Sequence, residues 1–340
     1  MPTVESRQSG SVQMNLTDTT KNVTITSVNL TKSIVIIQMG GAGAAIYTAS
    51  TYCARAKLTS STNLQINRNM ANPALDIYWQ VIEFSSGVSI QQGTASLSSS
   101  SVNVTVTSTD LNKSWSLCTA EGNFSVTHTD SLVEHMLTTS TNLNLQTSGS
   151  GSGHQADWQV IEMDDATVQS FNGTVSGTYQ DITITSVTTA EAFVSVSYSK
   201  NGSNLVDGDE LKGARLYSST AVRLSAYASD TQNYSLYVIE DSNISVQRGW
   251  DAISGTGVNK TISSVTQSKC MLKNGGQYQC WNTWNNYYNE NIQEFSTWIT
   301  FDSSTQISVD RDVGSYSITS SWEVVEFEDV AVSRRIFITS

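Results

Sequence analysis

The chain has 340 residues, of which 38% are hydrophobic and only 14% are charged, and its formal net charge is −12. Few charges combined with many Ser, Thr and Asn residues are typical of strands whose solvent faces are polar but uncharged. The 18 lysines and arginines form no run, which argues against nucleic acid as a partner, because a nucleic-acid-binding surface has to be basic.

The N-terminal segment contains no basic stretch followed by an apolar run. We therefore expect no signal peptide and synthesis in the cytoplasm. The apolar run at residues 34–37 is as long as any in the chain and is far too short to cross a bilayer. The sequence predicts no membrane insertion.

An internal repeat dominates the sequence. The motif Trp-Gln-Val-Ile-Glu-Phe at residues 79–84 returns in related form at 158–163, 236–241 and 322–327. The first two intervals are 79 and 78 residues, and the third is 86 residues. Two nearly equal intervals and one longer interval indicate four copies of one unit, with an insertion in the last copy.

Each copy contains the same predicted elements in the same order. A strand similar to Val-x-Val-Gln, such as Val-Ser-Ile-Gln at 88–91, precedes an alternating strand, as at 102–106, and a further apolar strand follows. A hairpin around a Ser/Thr turn, as at 58–64, then leads to the Trp motif. Period-two alternation runs throughout, and no stretch has helical periodicity.

These elements predict an all-β fold of four tandem β-sandwich-like repeats of about 80 residues each. We place the copies at residues 1–84, 85–163, 164–241 and 242–340, the last with an aromatic insertion.

The motif strand carries large apolar side chains on both of its faces. We expect one face to fill the sandwich core and the other to pack on a neighbouring copy or another subunit. The residues assigned to this second face are Ile82, Phe84, Val325 and Phe327.

Self-association follows from this interpretation of the motif strand. The first and last copies each have a single neighbour in sequence, so part of their apolar stripe should remain for another subunit. We predict a homo-oligomer with closed symmetry, and a trimer is the leading hypothesis.

A glutamate stands at the fifth position of the motif in every copy, near the end of the strand, at Glu83, Glu162, Glu240 and Glu326. It could be a catalytic acid or a metal ligand. It could equally be a strand-end charge that meets water or pairs with the recurring lysines Lys32 and Lys113. We favour the structural interpretation, because catalytic groups usually occur once, whereas a repeat duplicates structure.

The sequence contains no recognisable catalytic or cofactor motif. Its three histidines, His128, His135 and His154, do not cluster with cysteines at metal-ligand spacing. We therefore predict no enzymatic activity, no catalytic residues, no metal and no cofactor. The four cysteines are expected to be buried or reduced, although Cys270 and Cys280 are close enough in sequence to bridge a hairpin.

The insertion in the fourth copy concentrates aromatic residues between asparagines. Its binding or interface candidates are Trp281, Trp284, Tyr287 and Tyr288. Such side chains can stack on sugar rings, and they can equally form an assembly surface or pack beneath a long hairpin. All three alternatives remain open from the sequence.

With its Trp-Gln-Val-Ile-Glu-Phe strand followed by Val-x-Val-Gln-Arg-Gly, the chain resembles repeated β-domain virion structural proteins of tailed phages. The resemblance covers all four copies. It implies a tail-fibre, tail-surface or capsid-decoration protein located on the virion, with other virion proteins and a host surface glycan as partners. The alternative is a cell-surface adhesin or extracellular filament subunit with glycan-binding β-domains.

Overall fold

A computed structural model describes residues 1–41, 53–71, 74–121, 132–147, 154–200, 213–225, 231–274, 281–282, 296–312 and 317–328. These residues form strands joined by turns and by single-turn 3-10 helices such as Leu30–Lys32, Thr189–Glu191 and Gln267–Lys269. No helix among them is long and apolar enough to cross a membrane.

Each copy consists of two antiparallel sheets, which we call inner and outer. In copy 1 the inner strands are β1 (Thr3–Met14), β3 (Ser33–Gly41) and β6 (Leu75–Ser86), and the outer strands are β2 (Thr20–Thr24), β4 (Arg55–Ser60) and β5 (Asn63–Asn67). In copy 2 the inner strands are β7 (Val88–Leu97), β9 (Ser114–Ala120) and β12 (His154–Met163), and the outer strands are β8 (Ser101–Thr105), β10 (Glu134–Thr139) and β11 (Asn142–Gln146).

Copies 3 and 4 repeat this arrangement. In copy 3 the inner strands are β13 (Thr167–Val175), β15 (Ala192–Lys200) and β18 (Gln232–Glu240), and the outer strands are β14 (Tyr179–Thr183), β16 (Gly213–Ser218) and β17 (Ala221–Ser225). In copy 4 the inner strands are β19 (Ile244–Ser254), β21 (Cys270–Asn274), β22 (Trp281–Asn282) and β25 (Ser317–Phe327), and the outer strands are β20 (Gly257–Thr261), β23 (Trp298–Ser303) and β24 (Gln306–Asp310). The predicted fold class is confirmed: the described chain is a series of β-sandwich-like units.

The Trp motif forms the middle strand of every inner sheet, with the first inner strand on one side. On the other side lies β3, β9, β15 or β21, which we call the third inner strand from its place in the sheet. In copy 1, Trp79 lies opposite Gly10, and a Cβ added at this glycine would lie 3.0 Å from the indole. The glycine of the Val-x-Val-Gln strand is therefore needed so that the indole can cross the neighbouring backbone. In copy 3, which has Leu236 in the motif, the same contact is displaced by two residues and joins Gly173 to Tyr234.

The four copies contact one another in cyclic order. The 3-10 turn before the third inner strand packs against the first inner strand of the next copy, as Leu30–Lys32 does on β7 and Thr189–Glu191 does on β19. The turn of copy 4, Gln267–Lys269, packs in the same way on β1 of copy 1. The chain therefore closes into a ring.

One face of each inner sheet points to the middle of this ring. Apolar side chains from all four copies meet there in what we call the central cluster. Its members include Ile34, Ile82, Phe84, Trp115, Ile161, Met163, Phe193, Tyr237, Ile239, Met271, Val325 and Phe327. The rings of Phe84 and Phe327 meet edge to face with centroids 5.0 Å apart, which joins copies 1 and 4. The opposite faces of the inner sheets fill the sandwich cores.

The closed ring buries the apolar stripe of the first and last copies, on which the trimer hypothesis rests. The stripe residues Ile82, Phe84, Val325 and Phe327 are 0, 3, 0 and 2% exposed within the single chain. The expectation that the first and last copies keep part of this stripe for another subunit is wrong, because those two copies cover each other. Self-association remains a prediction, but it would need a different surface.

Candidate functional site

The repeated glutamate holds the turn that precedes the third inner strand. Oε1 of Glu83 accepts a hydrogen bond from the backbone N–H of Asn29 at 2.7 Å, and Oε1 of Glu240 accepts one from Thr188 at 2.6 Å. Each of these donors is the residue just before a 3-10 turn. The glutamate therefore satisfies a backbone donor at a helical N-terminus, where an anion is favoured.

The recurring lysines do not pair with this glutamate. Nζ of Lys32 donates to the carbonyl oxygen of Val88 at 2.5 Å, and Nζ of Lys113 donates to that of Asp164 at 2.6 Å. Of the two structural alternatives for the glutamate, pairing with Lys32 or Lys113 is therefore wrong. Each lysine instead reaches the chain at the start of the next copy, because the glutamate already accepts from the turn beside it.

A second repeated polar residue, the glutamine of the Val-x-Val-Gln strand, is also used within the fold. The amide of Gln8 accepts from the N–H of Thr26 at 2.6 Å and donates to its carbonyl oxygen at 3.0 Å. The same two-bond contact recurs in the other three copies, between Gln91 and Thr107, Gln169 and Thr185, and Gln247 and Ser263. Each glutamine thereby fixes the chain just after the first outer strand.

The second position of the Trp motif joins one copy to the preceding one. Oε1 of Gln159 in copy 2 accepts from the N–H of Val35 in copy 1 at 2.8 Å, and its Nε2 donates to the carbonyl oxygen of Val35 at 2.8 Å. Gln80 of copy 1 makes the same pair of bonds, at 3.0 and 2.8 Å, to Leu272 of copy 4. We call this contact the two-point joint, and it also operates where the ring closes.

Between copies 3 and 4, a glutamate and a lysine together form the joint. Oε2 of Glu323 accepts from the N–H of Val194 at 3.4 Å but, as a carboxylate, has nothing to donate. Lys273, which pairs with Glu323 at 3.2 Å, donates to the carbonyl oxygen of Val194 instead. Burial lowers the pKa of Lys273, and the charge of Glu323 opposes that shift. Arg248 adds a second ionic contact to Glu323, at 3.3 Å.

We expect Glu323→Gln alone to lower the free energy of unfolding by about 1–3 kcal/mol, because it leaves the ammonium of Lys273 buried without its carboxylate. Adding Lys273→Leu should recover most of that loss. The pair would then match the joint between copies 1 and 2, where Leu117 lies beside Gln159. Urea unfolding of the two variants and the native protein checks this. A double variant less stable than the single variant would contradict the assignment.

The third inner strands of all four copies line a cavity at the ring axis with a volume of about 100 Å³. Its apolar lining includes Val35, Ile37, Met39, Trp115, Leu117 and Met271, and its polar lining includes Gln38, His135, Lys273 and Asn274. The cavity combines a largely apolar wall with a few convergent polar groups, as small-molecule sites do. Its volume is below the range typical of such sites.

Ser116 and His135 form the arrangement beside this cavity that most resembles a nucleophile and base. The serine hydroxyl lies 2.8 Å from Nδ1 of His135 and 3.2 Å from the hydroxyl of Tyr237 in copy 3. Ser116 has no exposed surface. We therefore interpret the pair as part of the joint between copies 2 and 3, in which the Tyr237 hydroxyl also accepts from the N–H of Leu137 at 2.8 Å.

Burial lowers the pKa of His135 to about 3, below its ordinary value of about 6.5. As the pH falls, the unfolded chain takes up the proton first, so this residue costs stability below pH about 6.5. The penalty should reach about 2 kcal/mol at pH 5. His135→Asn, which keeps an acceptor for Ser116, should lose less stability between pH 7 and pH 5 than the native protein does. Equal losses in urea unfolding would contradict the buried neutral imidazole.

Most of the aromatic insertion lies outside the described residues. That holds for Trp284, Tyr287 and Tyr288, whereas the backbone of Trp281 lies in β22, paired with Thr319 of β25. Cys280 also lies outside them. Cys270 is a buried free thiol whose Sγ donates to the carbonyl oxygen of Thr266 at 3.3 Å, and burial raises its pKa to about 12.

Comparison with protein-family models gives no matching family, and comparison with curated proteins gives no similar sequence. Within the described part of the chain, no group of three or more His, Cys, Asp or Glu residues is placed to hold a metal ion.

Proposed function

We propose that the chain is a non-catalytic structural protein on the surface of a tailed virus, as a tail-fibre, tail-surface or capsid-decoration component. It acts by assembly with other virion proteins and by attachment to a host surface glycan. The observation that carries this proposal is the use of the repeated polar residues: the glutamates hold turns, and the glutamines fix strands and join copies.

The repeated glutamates and glutamines therefore have structural roles in this molecule. A ring whose copies interlock through buried hydrogen bonds and share one apolar centre is a rigid building block. Its sequence is rich in uncharged polar residues, which suits a particle exposed to varied salt and pH. Contacts with partners are then made by residues in which the copies differ.

The aromatic insertion is one such difference. It follows β21 in the chain, and its Trp281 lies in β22, paired with β25. In the proposed role, Trp281, Trp284, Tyr287 and Tyr288 contact a partner.

Immunogold labelling of particles released by lysis of the producing cells tests the proposal. Antibody against the purified protein should decorate the head or the tail of the particles. Label confined to the cell envelope would replace the proposal with the adhesin or filament alternative. Release of reducing ends from capsular or cell-wall polysaccharide by the pure protein would overturn the non-catalytic assignment.

A further inference from the structure

The outer sheet of copy 3 carries a surface row in which aromatic rings alternate with guanidinium groups. In order the row is Tyr179, Arg223, Tyr217, Arg215 and Trp250. The guanidinium carbon of Arg223 lies 3.7 Å from the ring centroid of Tyr217, and that of Arg215 lies 4.7 Å from the ring centroid of Trp250. We call these five residues the aromatic–arginine row. Because Trp250 belongs to β19, the row crosses from copy 3 to copy 4.

The fold does not require these residues. At the same register, the other copies carry mainly small or neutral side chains. The counterparts of Arg215 are Lys57, Met136 and Thr300, those of Arg223 are Gln65, Asn144 and Ser308, and those of Tyr217 are Thr59, Thr138 and Asp302. In copies 1 and 2 this face is a ladder of amide hydrogen bonds, such as the bond from Asn144 to Asn103 at 3.0 Å. Three copies thus form the same sheet without tyrosine or arginine at these positions.

The row contains two of the four large hydrophobic side chains that are exposed among the described residues. Tyr179 and Tyr217 are 50 and 51% exposed. Beside Tyr217, a cleft of about 260 Å³ runs between the two copies and is lined by Arg215, Trp250 and Ser321, among others. Flat rings at the edge of a cleft offer a stacking surface to a ligand.

The two arginines of the row differ in their charge partners. Arg223 forms a bidentate pair with Asp181, at 2.7 and 2.8 Å. Arg215 has no carboxylate partner among the described residues, and its buried Nε has no hydrogen-bond partner there. Burial and the nearby charge of Arg223 lower the pKa of Arg215. One positive charge is therefore left uncompensated between two rings, in a protein of net charge −12.

We propose that the aromatic–arginine row binds a carboxylated sugar, with the pyranose ring stacked on Tyr217 or Trp250 and the carboxylate paired with Arg215. A guanidinium matches a carboxylate through two parallel hydrogen bonds. The apolar face of a pyranose ring packs on an aromatic ring, while its hydroxyl groups stay in water. The inference goes beyond the virion assignment and does not depend on it.

The charge pattern favours a sugar acid over a polyanion. Nucleic acid would present a phosphate at every nucleotide and needs a continuous basic track. This site offers a single uncompensated guanidinium, and the acidic protein around it repels a chain of negative charges. A ligand with one carboxylate per ring unit fits this arrangement.

Saturation-transfer NMR and titration of the full chain with two probes, methyl glucuronide and the methyl glycoside of N-acetylneuraminic acid, test the proposal. Methyl glucoside is the neutral control. We expect at least one acidic probe to bind with a Kd on the order of 1 mM, and the glucoside to bind about tenfold more weakly. The preferred acidic probe then distinguishes uronic acids from sialic acids as the source.

Two variants replace a residue of copy 3 with the residue that another copy has at the same position, so the fold should tolerate them. Arg215→Thr introduces the copy 4 residue, and Tyr217→Thr introduces the residue of copies 1 and 2. Each should weaken binding of the acidic probe about tenfold without changing the circular dichroism spectrum. Lys57→Thr removes one positive charge at the equivalent place in copy 1 and should leave binding unchanged.

Several outcomes would overturn the proposal. They are failure of both acidic probes to bind, equal binding of the glucoside, unchanged binding by both replacement variants, and an equal loss in Lys57→Thr. Equally tight binding of a tetraglutamate peptide would show that the row recognises carboxylates without a sugar, which also overturns it.

Discussion

Phe327→Ala should lower the free energy of unfolding by about 3–5 kcal/mol, as expected for truncating a buried phenylalanine. Phe327 is 2% exposed in the central cluster and packs edge to face on Phe84 of copy 1. Its removal therefore leaves a cavity where the last copy meets the first. Urea unfolding followed by far-UV circular dichroism measures the loss.

The matched control is Leu16→Ala, at a leucine that is 58% exposed, and it should change stability by less than about 0.5 kcal/mol. The double variant Phe84→Ala/Phe327→Ala should show a coupling of about 0.5–1.5 kcal/mol between the two rings. Additive losses would mean that the two rings do not interact across the closing joint. A loss below about 1 kcal/mol for Phe327→Ala would contradict its placement in the shared core.

Arg55→Met should have an effect of similar size, about 3–5 kcal/mol, because it breaks a buried ionic network and leaves its carboxylates unpaired. Nη1 of Arg55 donates to both oxygens of Asp157 at 3.0 and 2.9 Å, and Nε donates to Glu121 at 2.9 Å. Asp157 is only 3% exposed. The network joins the outer sheet of copy 1 to the inner sheet of copy 2.

Lys21→Met provides the comparison. It removes the cation of the more exposed ion pair with Asp18, and it should lower the free energy of unfolding by no more than about 1 kcal/mol. The triple variant Arg55→Met/Asp157→Asn/Glu121→Gln should be more stable than Arg55→Met alone, because no unpaired charge remains buried. If Arg55→Met and Lys21→Met lowered the free energy of unfolding equally, the network would be too hydrated to contribute to stability.

The strands and their repetition could be predicted because the sequence pattern that indicates them is local and occurs in all four copies. Alternation at period two, the turn residues and the phase of the Trp motif all appear within short windows. The glutamine after the tryptophan carries a further signal, from which no prediction was made. A polar side chain in a strand with two apolar faces must be hydrogen-bonded if it is buried, and Gln80 and Gln159 are.

The partners of these side chains could not be predicted. Gln80 bonds to Leu272, 192 residues away, and the alternation of a strand does not specify which backbone lies across from it. Ring closure has the same cause: it depends on the angle between successive copies, to which many weak contacts contribute. The partners of Arg55 lie 66 and 102 residues away and share no motif with it.

The aromatic–arginine row was missed for a different reason. The comparison of copies at the sequence level emphasised where they agree, and Arg215 and Tyr217 stand where they differ. Once the register of the outer sheets is known, the contrast with Lys57 and Thr59 is evident. The strand alternation alone places these side chains on the solvent face but does not bring Trp250 of the next copy beside them.

The ring is closed by noncovalent contacts between copies 4 and 1, and we call this junction the seam. Three of the ring's joints are bridged by short connections, such as the single residue Gly87 between β6 and β7, whereas copies 4 and 1 are not consecutive in the chain and meet through noncovalent contacts. If that seam opened, copy 4 of one molecule would present the surface that fits copy 1 of another. Two opened molecules could then exchange partners head to tail, in the manner of a domain swap. Within one molecule, the three continuous joints hold the two sides of the seam at a high effective concentration, which favours the closed monomer over such chains.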